Sequence, residues 1–416
     1  MDKPDVIVIG AGVVGLSAAV AAQARGLKVR VIDREGPAAG ASTGNAGAFA
    51  FTDIFPLASP RIIRQAPRWL LDPLGPLSVP PRYALRIAPW MWRFWKASWP
   101  AQVRASTVAQ TAMMKLSKDA LDPLLAREGL AHMLRRDGQL QVYEGEAEFR
   151  ASLPQWKARA EEGIAFRHLQ GAEIAEIQPG LAPRFTHATF TPGWYSITDP
   201  RDYTLALAER VRANGGDIVI AEATSLHPGG VETDKGVMTG RVVLAAGAFS
   251  HRLAQTAGVK IPLETERGYN TTLPGDAFYL RVQITFGGHG FVASKLTSGL
   301  RIGGAVELGG LDLPPNYARA GAMLEKAARF LPGLKTSGGT QWMGFRPSLP
   351  DTLPAIGPLP GRRPLRGRRG VVGAGGRGPG VRSRRAAPAE IVADLLTGQT
   401  PAIDMAPFSP ARFTRH

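Results

Sequence analysis

Val6-Ile7-Val8-Ile9-Gly10-Ala11-Gly12-Val13-Val14-Gly15 decides how this chain begins. Four consecutive β-branched residues, Val6 to Ile9, are what a strand buried on both faces of a parallel sheet requires. Gly10 then permits a tight turn, Gly12 lets backbone approach a pyrophosphate, and Gly15 lets a helix pack closely on the strand. Leu16 to Ala24 reads as that helix, closed by Gly26, and Lys28 to Ile32 as a second strand ending at Asp33. The helix N-terminus offers N–H donors and the positive end of its dipole. Asp33 follows Gly10 by 23 residues, where an acid bonds a ribose hydroxyl and disfavours a 2′-phosphate. The segment therefore reads as a dinucleotide-binding unit of the NAD or FAD type.

Composition narrows the rest. A chain of 416 residues, 44% hydrophobic and 20% charged, holds roughly two or three folding units with a sizeable core. With no cysteine, disulfides, thiolate metal sites, iron–sulfur clusters, cysteine nucleophiles and cysteine-tethered cofactors are excluded. The seven histidines lack ligand spacing, so no metal is expected. The net charge of +16 is mostly local: Gly361 to Arg385 holds nine arginines, eight glycines and no acid. That run has no interleaved aromatics on which bases would stack, so nucleic acid is not an expected partner. Neither a secretory signal nor a membrane-length apolar run is present, which points to a cytoplasmic protein, at most peripheral to the inner membrane.

Two further segments suit a cofactor. Gly40-Ala41-Ser42-Thr43-Gly44-Asn45-Ala46-Gly47 is a run of small and hydroxyl side chains that can lie against a phosphate or an isoalloxazine ring. Arg241 to Ala248 reads as a buried strand ending in small residues, suited to another turn beside the cofactor.

Together, VIVIGAGVVGLSAA, GASTGNAGAF, RVVLAAGAFS and WMGFRPSLPDTLPAIG resemble the D-amino-acid oxidase superfamily of FAD flavoproteins. PLETERGYNTTLP and GLRIGGAVELGGLDLPPNYARA resemble its bacterial D-amino-acid dehydrogenases, including hydroxy-D-proline-oxidising members. The resemblance implies an α/β fold in which a Rossmann-like FAD domain (1–50, 199–257 and 338–416) joins an α+β substrate domain (51–198 and 258–337) built on a mainly antiparallel sheet. It implies non-covalent FAD, held by Gly10, Gly12, Val14, Gly15, Asp33, Arg34, Ser42, Thr43, Asn45, Ala46, Gly47, Ala223, Ala246, Gly247 and Gly376. The implied reaction is oxidative deamination of a D-amino or imino acid to a 2-oxo acid and ammonia, with hydride passing from the α-carbon to flavin. A secondary amine such as hydroxy-D-proline or a sarcosine-like compound is the alternative substrate. Arg346 matches the family's carboxylate-clamping arginine; Tyr269 would bond the carboxylate or seal the pocket, and His289 would meet substrate or flavin.

Two features depart from a plain soluble oxidase. Five of the eight tryptophans fall between Trp69 and Trp99, and Trp90-Met91-Trp92-Arg93-Phe94-Trp95-Lys96 mixes rings with cations. That pattern suits an interfacial membrane contact, with electrons passing to a quinone or the respiratory chain, or else a helix packed on the substrate domain; the ring spacing defines no one clean apolar face, which favours the packed helix. Secondly, the Arg/Gly island at 361–385 interrupts family-like flanks where relatives carry a loop over the flavin. It reads as GC-rich coding sequence translated in a shifted frame. If genuine, it implies weakened FAD binding and a flavin-binding protein without activity, since nine like charges do not pack as an apolar strand.

Overall fold

The computed structural model describes residues 3–60, 62, 63, 75, 77–360, 371–374 and 386–414. Gly376, Trp69 and most of the Arg/Gly island lie outside these residues. The opening strand β1 (Val6–Ile9), helix α1 (Val13–Gln23) and strand β2 (Val29–Asp33) form as the sequence indicates. Their six-stranded sheet runs, edge to edge, 217–220, β2, β1, 241–244, 371–374 and 355–358. All its pairings are parallel except the last, where 355–358 runs antiparallel to 371–374.

The unbroken apolar run of β1 follows from burial on both sides. Val6 and Val8 pack with Leu16, Leu207, Val211 and Ile391 on one face; Ile7 and Ile9 pack with Leu244, Leu253 and Ile261 on the other. Helix α1 is buried almost throughout because it lies between the sheet and two more helices, Pro200–Ala213 and Ala386–Thr397. Alanine suits that position: Ala21 meets Ala389 and Ala393 directly. The turn into α1 is equally tight. Gly10 adopts φ +112°, and a Cβ there would sit 2.4 Å from the Ala245 carbonyl oxygen. A Cβ on Gly15 would sit 2.0 Å from the Gly10 carbonyl oxygen.

A second, nine-stranded sheet carries the other core. Its strands run 340–348, 264–273, 299–308, 291–296, 283–286, 139–144, 185–191 and 167–170, with 77–78 added beside 299–308. Pairing is antiparallel except between 283–286 and 139–144 and at the short 77–78 strand. The mixed α/β architecture and mainly antiparallel second sheet agree with the expected fold class.

Asp199 joins the two halves. Its Oδ1 accepts from the Arg201 amide at 2.8 Å, capping the 200–213 helix ahead of Pro200, and its Oδ2 accepts from Ser298 Oγ at 2.5 Å. The residue is 3% exposed. Asp199→Ala removes a cap and leaves Ser298 without this acceptor, so it should cost about 1–2 kcal/mol, read as a lower urea midpoint at unchanged m-value.

Candidate active site

One cavity of about 1080 Å³ extends from the N-terminus of α1 to the 264–273 and 340–348 strands. Gly10, Gly12, Val14, Asp33, Arg34, Ser42, Asn45, Ala46, Ala223, Ala246, Gly247 and Arg346 all line it. The structure thus brings together most of the residues singled out in the sequence.

Its nucleotide end is organised by hydrogen bonds between separate segments. Asp33 Oδ2 accepts from the Ala11 amide at 2.8 Å, and Oδ1 accepts from the Glu35 and Gly36 amides at 2.9 and 3.0 Å. Its carboxylate therefore fixes the glycine turn as well as facing the cavity, and retains acceptor capacity for a ribose. Ser42 Oγ accepts from the Val13 amide at 3.0 Å, taking one of the unsatisfied donors of α1. Asn45 holds its own loop, donating to the Ser42 carbonyl and accepting from the Gly47 amide. The Arg34 guanidinium lies over the Phe249 ring, 4.1 Å from its centroid.

Gly15, Thr43 and Gly47 do not line the cavity but support it. Gly15 underlies the turn; the Thr43 hydroxyl donates to the Ala38 carbonyl; the Gly47 carbonyl accepts from the Ile197 amide.

At the far end, the 264–273 and 340–348 strands set Gly268 opposite Gly344. Two absent side chains leave a trough that neighbouring groups fill. The Arg346 guanidinium lies over Gly268, where a Cβ would come within 2.3 Å of it, and the Trp342 indole lies over Gly344 and Gly44. Asn270, opposite Trp342, is 2% exposed and donates through Nδ2 to the Gly44 carbonyl at 2.7 Å. Its Oδ1 is buried, lines the cavity with the residue, and has no hydrogen-bond partner among the described residues.

Tyr269 and His289, expected to meet substrate or flavin, are not brought to this cavity. Side chains alternate along a strand, so Asn270 faces the cavity while Tyr269 faces the opposite way. There the Tyr269 hydroxyl donates to Glu307 Oε2 at 2.6 Å and accepts from the Asn316 amide at 3.0 Å. Burial, reinforced by Glu307, pushes this phenol up to about 12, so it remains a donor. Arg267 joins the same network, bonding the Gly310 and Pro314 carbonyls. His289 Nε2 sits 2.8 Å from Glu144 Oε1, with its ring against Phe330, and burial pushes its pKa below the usual histidine range.

Arg301, Asn270, Glu266 and Trp342 also line the cavity but are not among the site residues assigned from sequence. Arg301 is 7% exposed; it donates to the Asn45 and Thr43 carbonyls at 2.5 and 3.2 Å and to Thr272 Oγ1 at 2.9 Å. Its signal was a charge inside the otherwise apolar Leu300-Arg301-Ile302.

The residues fit a flavin dinucleotide. The glycine turn and α1 terminus suit the pyrophosphate, Asp33 suits a ribose, and the buried Asn270 oxygen offers an acceptor to a ring N–H. Over residues 5–395 the chain matches the DAO family, described as FAD dependent oxidoreductase. The chain belongs to this family. It is 34% identical over 428 aligned residues to the D-amino-acid oxidase of Bradyrhizobium diazoefficiens, covering 98% of each. To the D-amino acid dehydrogenase of Rhizobium johnstonii it is 30% identical, covering 85% of this chain and 88% of the relative. Among solved structures, glycine oxidase from Geobacillus kaustophilus shares the fold, with TM-score 0.77, 20% identity and 99% coverage of each chain. Iminodiacetate oxidase from Chelativorans does so with TM-score 0.71, 19% identity and coverage of 97% and 98%. This DAO-family protein is therefore an FAD-dependent oxidoreductase acting on amino acids.

Asp33→Ala should weaken FAD binding and also lower the stability of the FAD-free protein by about 1–3 kcal/mol, because backbone donors lose their acceptor. Flavin titration and urea unfolding of the FAD-free protein measure the two effects separately.

Proposed function

We propose that this DAO-family enzyme oxidises D-amino acids to 2-oxo acids and ammonia. The observation that carries this reading is the Arg346 guanidinium lying over Gly268 in the cavity wall, at the end remote from the nucleotide turn. A planar guanidinium receives a carboxylate through two parallel charge-assisted bonds, and the missing side chain of Gly268 gives that guanidinium room to lie against the strand. Bound FAD supplies the hydride acceptor for the α-carbon. The chain's own work is then to hold the carboxylate on Arg346, wall the site with Trp342, and keep water out of a largely buried floor. The names of the two relatives, D-amino-acid oxidase and D-amino acid dehydrogenase, support the choice of substrate class.

A panel of D-amino acids, their L-enantiomers and N-alkyl glycines, added anaerobically, tests this directly. D-amino acids should bleach the flavin and L-enantiomers should not; bleaching by N-alkyl glycines alone would replace the reading. Arg346→Lys should lower kcat/KM on the order of 100-fold, since charge remains but the fork is lost.

We further propose a quinone of the respiratory chain as electron acceptor, reached by peripheral contact with the inner membrane. The Ala84–Ala97 helix supports this. Contrary to the expectation of no clean apolar face, it divides sharply: Ile87, Trp90 and Phe94 are buried, and Trp90, Met91 and Phe94 line the cavity. Outside, Trp92, Trp95 and the following Trp99 are 56%, 39% and 49% exposed, with Trp92 stacked on Trp95 at 4.8 Å. Between Asp72 and Asp119 the chain carries seven Lys and Arg and no acid. Indole rings at headgroup depth beside cations suit an anionic bilayer. No helix among the described residues is long and apolar enough to cross a membrane. The protein should sediment with phosphatidylglycerol vesicles at low salt, far less at high salt, and Trp92→Ala/Trp95→Ala/Trp99→Ala should abolish the effect.

A further inference from the structure

The 299–308 strand changes character along the cavity wall. Opposite Asn270 it offers Gly303; opposite Gly268 and Glu266 it offers Val306 and Leu308, and all three line the cavity. Leu77 pairs with Val306 on that strand's other side and lines the cavity too. One row across the sheet therefore runs Gly268, Val306, Leu77, at about 4.8 Å per strand. The Arg346 guanidinium lies over Gly268, so aliphatic surface begins one strand to its side and continues to the next. The 84–97 helix faces this surface: Trp90, Met91 and Phe94 line the cavity, with Trp90 stacked on Phe94 at 5.3 Å. These side chains form a hydrophobic cluster of their own, distinct from the main cores.

A cluster beneath a helix ordinarily closes on itself, because protein interiors pack without large voids. This one stays open to the cavity, and every described cavity-lining residue in 57–94 and 306–308 is apolar or aromatic. The polar groups of a nucleotide have their partners elsewhere, at the glycine turn and Asp33. An amino acid whose carboxylate rests on Arg346 still has its side chain to place, and the apolar arm opens beside it. We propose that this arm receives the substrate's side chain, and that the enzyme acts on D-amino acids whose side chains are bulky and apolar or aromatic. The assignment rests on the reading above, with Arg346 as the carboxylate clamp. Val306 and Leu77 form the aliphatic floor; Trp90 and Met91 meet the side chain from the helix, the unbranched Met91 adapting to its shape. Affinity then grows with the apolar area that leaves water, and the methyl group of alanine reaches little of it.

The test follows anaerobic flavin reduction in FAD-loaded enzyme by D-alanine, D-leucine and D-phenylalanine, so no electron acceptor is needed. Wild type should be reduced at least about 10-fold more efficiently by D-leucine and D-phenylalanine than by D-alanine, from burial of three or more additional carbons. Val306→Phe fills the arm and should lower the ratio of D-phenylalanine to D-alanine efficiency by about 10-fold or more. Leu77→Phe fills the same space from the next strand and should act alike, so the result does not hang on one variant folding. Equal loss for all three substrates in both variants would make these residues packing alone and overturn the proposal. A wild type that uses D-alanine as well as the larger substrates, or better, would overturn it with no variant needed, and would leave the D-amino-acid reading intact. If no D-amino acid reduces the flavin, that reading itself fails and the side-chain arm falls with it.

Discussion

The contact of α1 with the Gly10 carbonyl is the constraint on which the rest of the molecule depends. Neither Gly10 nor Gly15 has room for a side chain, and one sits in a left-handed conformation. That closeness brings the Val13 amide within reach of Ser42 and the Ala11 amide within reach of Asp33. The 40–47 loop is thereby fastened to the start of the helix, and Arg301 and Asn270 fasten its other side to the second sheet. A single turn of backbone thus sets the distance between the nucleotide end and the trough.

Much of this was legible in the sequence, and the reasons are local. The β1 run, the glycine spacing and Asp33 act within one βαβ unit, where period and turn chemistry speak directly. Asp199-Pro200 is a local signal of the same kind, an N-cap residue ahead of a first-turn proline. What the sequence did not disclose was which way a residue faces. Tyr269 and Asn270 are neighbours, and strand parity alone separates a cavity residue from one committed to Glu307. In the 264–273 strand that parity is hidden, because Glu266, Arg267, Tyr269 and Asn270 put polar groups on both faces. Arg301 was hidden for a related reason: its partners are backbone carbonyls more than 250 positions away in the chain.

The Trp-rich helix shows the same limit from another side. Pro89 and the mixed rings blur the periodicity, yet packing sorts Trp90 and Phe94 inward and Trp92 and Trp95 outward. One helix therefore shapes the cavity with one side and meets the surroundings with the other. Composition alone could report the excess of indoles but not this division.

The Gly268–Gly344 pair has a consequence for how the pocket can diverge. Both glycines are covered, by the Arg346 guanidinium and the Trp342 indole, so a side chain added at either one displaces that group before it meets a ligand. Paralogues that accommodate larger side chains must gain space elsewhere, by trimming Trp342 or the inward rings of the 84–97 helix. Sequence drift at the two glycines therefore acts first on the guanidinium and the indole that wall the pocket.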